Sequence, residues 1–267
     1  MKIALIIILN LTSLGALASA FENLDILKEE TDPIRYMILF DQVTTSEIDD
    51  KAFTKIITEV YSVYVNEGVS QERFLNLYMD WKTPYFSAWA TELSDTQFQI
   101  NFWGGFARLP GMLHEIFEFV VCHELGHILG AEPRHRNKLN PWASAEGQSD
   151  HFAVTECLPK YYKRFNKLID FDSTLSMPLE VSMCLDQYIE KDAQNLCLKI
   201  LRAGRGFAAI LMHLYPDKDL PTYEKSAPEV PETLYNSYPS LQCRIDIFKN
   251  ASKCLESSFK RNPCWYK

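Results

Sequence analysis

The stretch "EFVVCHELGHILGAEP", residues 118 to 133, sets the frame for the whole chain. Phe119 to Leu129 is an apolar run that reads as one buried helix, yet it carries His123, Glu124 and His127. Side chains four apart on a helix share a face, so the two histidines aim their rings at one point about one turn long. Glu124 is rotated by about 100° from His123 and projects beside that point. Such a pair can hold a zinc ion with the glutamate next to it as a general base, but two histidines alone do not hold a catalytic zinc.

The third ligand is sought downstream. Eighteen residues separate His127 from Glu146 in "AEGQSDHFAVTEC", which begins at Ala145 and reads as a second helical run. Glu146 would complete a His2Glu set with one position left for water. Asp150, four residues later on the same face, can accept the spare N–H of a ligand histidine and fix its tautomer. His151 points about 100° away from Asp150 and reads as a core or surface histidine. His114, His135 and His213 have no partner at ligand spacing and are taken as structural, and Arg205 reads as an ion-pairing or helix-packing residue.

Outward from this centre, "SEIDDKAFTKIITEVYSVYV" repeats apolar residues at helical spacing and predicts a helix over about 46 to 66 with Ser46 as its cap. Three short runs follow, "RFLNLYMDW", "YFSAWATE" and "FQINFW", and predict a small antiparallel meander. The third ends in Gly104-Gly105, where another backbone can come close. The strand before Gly104 is expected to be the edge nearest the cleft, able to receive a substrate strand. Further helices are expected at about 179 to 191, 193 to 214 and 241 to 256. Between them, Tyr215 to Pro239 holds five prolines and reads as a wrapping loop. No repeat or composition shift marks a boundary, so the expected fold is α+β, a helix-rich single domain with a small, mostly antiparallel sheet packed against the two ligand-bearing helices.

The first twenty residues, "MKIALIIILNLTSLGALASA", have the basic start, apolar core and Ala-Ser-Ala end of a secretory signal peptide. The apolar core is too short for a membrane span, so no integral membrane anchor is expected and the mature domain covers 21–267. Removing it takes Lys2, leaving 26 Lys+Arg against 35 Asp+Glu, a net charge of −9. An acidic chain without a basic tract is a poor partner for nucleic acid. Seven cysteines in an exported chain predict disulfides and a secreted or periplasmic location, with at least one thiol left over. Cys122, mid-run on the apolar helix, is the expected free thiol, and the other six allow fifteen pairings.

Taken together, the two motifs resemble the gluzincin metallopeptidases, whose pattern is H-E-x-x-H followed by E-x-x-x-D on a second helix. Within that group "EGQSDHFA" resembles the E-x-E-A-D-x-x-A segment of the HtpX-like and CAAX-prenyl endopeptidase branch, and "SYPSLQCRI", residues 237 to 245, is similar to its T-H-P-P-x-x-E-R-I. The terminal Cys264-Trp265 resembles a "CW" pair in small exported bacterial members. The resemblance implies one zinc held by His123, His127 and Glu146, Glu124 as base, and a protein or peptide substrate. It also implies catalytic support from Tyr238, which replaces the family's histidine and could donate to an oxyanion, and from Arg244. Because of that replacement and the dense cysteines, the rival expectation is a catalytically inactive, zinc-stabilised binding or structural protein.

Overall fold

The computed structural model describes residues 46–169, 176–214, 221–253 and 261–267. The signal peptide, the acidic leader and Cys254 lie outside the described residues. The first helix, α1 (Asp50–Ser70), starts four residues later than the sequence predicts, because Asp49 and not Ser46 caps it: its carboxylate accepts the Ala52 N–H at 2.7 Å. Ser46 instead accepts the Ile48 N–H and donates to the Ala107 carbonyl. The stripe Phe53, Ile56, Ile57, Val60 and Tyr64 is buried as its spacing requires.

Three strands follow, β1 (Phe74–Asp80), β2 (Ala88–Ser94) and β3 (Gln97–Trp103), near the predicted positions but not in the predicted order. The sheet runs β1-β3-β2, with β3 parallel to β1 and antiparallel to β2, so the meander is a mixed sheet and β3 is its centre, not its edge. The reason lies in the connection after β1. Arg108 donates to the Trp81 and Thr83 carbonyls and pins that segment across the end of β3. At Gly104 and Gly105 a Cβ would come within 2.0 Å of the Trp81 carbonyl oxygen and 2.2 Å of that of Pro84, so only glycine allows the crossing. β3, with Phe98, Ile100 and Phe102 buried, is also the strand best suited to an interior position.

A short helix, α2 (Gly104–Ala107), leads to α3 (His114–Leu129), which carries the opening motif. Every residue of α3 after His114 is buried. It runs through the middle of the molecule, with α1, β2, α4 (Glu146–Phe152) and α7 (Lys191–Leu214) packed around it. A π-helical turn, Ala153–Cys157, continues α4 into α5 (Leu158–Arg164), whose Pro159 lacks the N–H that an unbroken α-helical ladder would need. Then come α6 (Pro178–Gln187), α7 and α8 (Leu241–Lys253), all close to prediction. Among the described residues of the wrapping loop, 221–239 form no helix or strand; Thr222 and Ala227 are bound to the Gln242 and Asp246 side chains of α8, and Val230 and Leu234 to the Pro263 and Trp265 carbonyls. The α+β class holds, with the sheet beside α3.

Six cysteines pair: Cys122–Cys157, Cys184–Cys197 and Cys243–Cys264. Cys122 is therefore not the free thiol. It reads as a core residue because its partner lies 35 positions later, on the π turn that α3 packs against. This bridge crosslinks the two helices that bear the motif. Replacing both cysteines with alanine should lower the unfolding free energy in a urea titration by about 3–4 kcal/mol, the chain-entropy value for a loop of that length.

Candidate metal centre

His123 and His127, one turn apart on α3, face Glu146 in the first turn of α4. Their Nε2 atoms lie 3.3 Å and 3.7 Å from the Glu146 carboxylate oxygens. The three ligating atoms all fall within 4.8 Å of one another, and this His–His–Glu group could hold a metal ion. Ligands at about 2.0–2.1 Å from a tetrahedral zinc would be about 3.3–3.5 Å apart, the spacing of His123 and Glu146, so a set spread within 4.8 Å would draw in slightly on a bound ion.

The hydrogen bonds of the rings decide what can sit between them. His123 donates from Nδ1 to Asp150 at 2.8 Å, and His127 donates from Nδ1 to the Ser144 carbonyl at 2.9 Å. A neutral imidazole that donates from Nδ1 presents a bare lone pair at Nε2. With both rings neutral, two such lone pairs would face the Glu146 carboxylate, and a cation there, a proton or a metal ion, relieves the repulsion. The charge balance agrees. Burial would pull His123 down, but Asp150 and Glu146 overcome it and hold its pKa up to about 10, so a positive charge is favoured at this spot. Burial likewise opposes ionisation of Glu146, and the two imidazoles outweigh it and hold the carboxyl well below its usual range.

Asp150 is fully buried and shared. Arg244 of α8 grips it through Nε at 2.7 Å and Nη2 at 2.6 Å, while Asp150 Oδ1 also accepts a hydrogen bond from His123 Nδ1. Arg244 thus supports the ring through Asp150, and its own cation lies over Phe207, 4.5 Å from the ring centre. Tyr238 is half-buried and its hydroxyl hydrogen-bonds the Glu146 carboxylate, so the 238–245 segment does fold back onto the centre. Glu124, 5 % exposed, lies between the ligand cluster and β2, where the Ala90 backbone bonds it. The cleft edge is therefore β2.

Several contributors carry no motif. Ser144 orients His127 through a carbonyl, which every residue possesses. Ser149 donates to the His123 carbonyl at 2.7 Å and sits against Gly126, where a Cβ would approach the Ser149 backbone oxygen to 2.9 Å. The glycine inside "HELGH" was the one available signal that α4 comes this close. His135, set aside on spacing, stacks 6.2 Å from the His127 ring because the α3–α4 loop folds back. The other set-aside residues stay outside the cluster: His114 pairs with Glu47, Arg205 with Glu180, and His151 lies near Trp265, pushed down to about 4 by burial. The His213 side chain lies outside the described residues.

The chain matches no protein-family model, no curated protein and no solved structure. What the site can do is thus argued from its own atoms. Replacing His123, His127 or Glu146 with alanine should abolish metal uptake measured by equilibrium dialysis. Asp150→Asn should weaken it by about 10- to 100-fold through the misoriented His123. It should also cost stability, because Arg244 is left buried with half its ion pair removed. Gly126→Ala should push α4 away from α3, destabilising the fold by about 1–3 kcal/mol and lowering metal affinity with it.

Proposed function

We propose that the protein is an exported zinc-dependent peptidase. The observation that carries this reading is the convergence of the His123, His127 and Glu146 lone pairs on one point, with a buried carboxylate, Glu124, at the side of that point facing the sheet edge. An imidazole-imidazole-carboxylate set suits zinc, and both rings have the fixed second hydrogen bond typical of metal-ligating histidines. When bound, zinc would supply Lewis acidity to a water and to the carbonyl under attack.

The chain's own residues would do the rest. Burial, more than any neighbouring charge, pushes Glu124 up to about 7 in the metal-free site, and a bound cation would pull it back down and keep it the ionised base. It would take the proton of the attacking water and pass it to the leaving amine. The Tyr238 hydroxyl, on the Glu146 side of the centre, would donate to the oxyanion. Arg244 acts through Asp150 on His123, as a positioning residue. Among the described residues β2 has one hydrogen-bonding edge that β3 does not use, so an extended peptide could add there, next to Glu124. Three disulfides fit an oxidising compartment, and among the described residues no helix is long and apolar enough to cross a membrane.

The test is purified mature protein with unfolded casein as substrate, alongside metal analysis. Wild type and Glu124→Gln should each hold about one zinc per chain, and the variant should cleave at least about 100-fold more slowly. Undiminished cleavage by Glu124→Gln would contradict the mechanism, and zinc without cleavage would favour the inactive binding protein. Tyr238→Phe should lower kcat by about 10²- to 10³-fold with zinc content unchanged. A change in KM alone would return Tyr238 to packing.

A further inference from the structure

Beside the metal centre lies a second concavity that the peptidase reading does not use. It is a pocket of about 350 Å³ whose wall includes Arg134, His135, Arg136, Tyr235 and Arg261. The one acidic residue on it is Glu132, so three guanidinium groups against one carboxylate leave two positive charges in excess. This stands out in a chain whose net charge is −8. A cluster of cations repels itself and persists only where other contacts hold it.

Those contacts are visible. The Arg136 guanidinium lies flat on Tyr235, 3.4 Å from the ring centre, and its backbone N–H is tied to Asn236. Arg261 lies over Tyr266 and donates to Gln148 Oε1 and to the Glu132 carbonyl. Arg134 Nε has no hydrogen-bond partner and stands 3.7 Å from Glu132, whose side chain is 78 % exposed. A guanidinium stacked on a ring keeps its N–H donors at its rim in a fixed plane, which suits the two oxygens of a carboxylate.

The pocket adjoins the metal centre through neighbouring residues. His135 lines it and stacks against His127, 6.2 Å away. Tyr235 lines it, and three residues on Tyr238 reaches Glu146.

The geometry points to a carboxylate-binding subsite formed by Arg134, Arg136 and Arg261, which takes an acidic side chain or the free C-terminus of a peptide bound at the metal centre. That this peptide is a substrate rests on the peptidase reading.

The experiment uses zinc-loaded Glu124→Gln protein, which should bind without turnover, and fluorescein-labelled decapeptides followed by anisotropy. One series carries a single Glu or Gln at each position in turn, and a second pairs a free C-terminus with its amide. One member of the acidic series, or the free-acid series, should bind about 10- to 100-fold tighter than its neutral counterpart, and the margin should shrink with added salt. The series that responds identifies the source of the carboxylate. Arg134→Gln with Arg136→Gln should erase the margin and leave zinc content unchanged. Equal affinities throughout, no binding by any peptide, or a margin that survives the double variant would overturn the subsite. Wild-type cleavage of the same peptides separates the two ideas. Cleavage without acid preference removes the subsite alone, and acid-selective binding without cleavage removes the peptidase reading alone.

Discussion

The structure depends on one buried carboxylate. Asp150 has no access to solvent, and an isolated charge there would cost several kcal/mol. It is tolerated because His123 from α3 and Arg244 from α8 both donate to it, two of the contacts at Oδ1 alone. Three helices distant in sequence are thereby fixed around one atom. The position of the His123 ring, and so of the whole His–His–Glu group, follows from that pairing. Arg244 cannot leave without exposing the carboxylate, and Asp150 cannot leave without stranding the guanidinium.

The rest of α3 follows the same rule. A helix buried on all sides should be apolar on all sides, yet its first turns hold Glu115 and Glu118. Each is answered from outside: Glu115 by Arg202 and Lys199 of α7, Glu118 by Lys167. Ion pairs anchor the start of the helix, the two histidines of the His–His–Glu group occupy its end, and the Cys122–Cys157 bridge holds the middle to the π turn. The aromatic rings of Phe207 and Phe248 close around Phe119, one turn before His123, and keep water from that side. Rigid placement of the ring nitrogens is thus bought at several points along one rod.

How far this could be read in advance depended on how local the cause was. His123 with His127, and Glu146 with Asp150, were legible as same-face pairs from helical spacing, whereas the meeting of the two pairs depends on how α4 packs on α3. Arg244 and Tyr238 came only from the resemblance of a short segment, and the structure brings both to the centre. Strand positions were legible from alternation, but their order was not, since it is set by Arg108 and two glycines acting on a loop more than twenty residues earlier. The pairing of Cys122 was hidden for the same reason: a thiol and a core residue look alike until the opposing helix is in place. His135 and the arginine pocket arise from a loop that folds back on α3, which no spacing rule foresees.

The three lone pairs of His123, His127 and Glu146 meet where a metal ion could be held. The most direct measurement is anomalous diffraction from crystals of the mature protein grown with zinc, recorded on both sides of the zinc absorption edge. One strong peak is expected within about 2.0–2.2 Å of His123 Nε2, His127 Nε2 and a Glu146 oxygen. No peak there, with His123 doubly protonated against Glu146 instead, would contradict it.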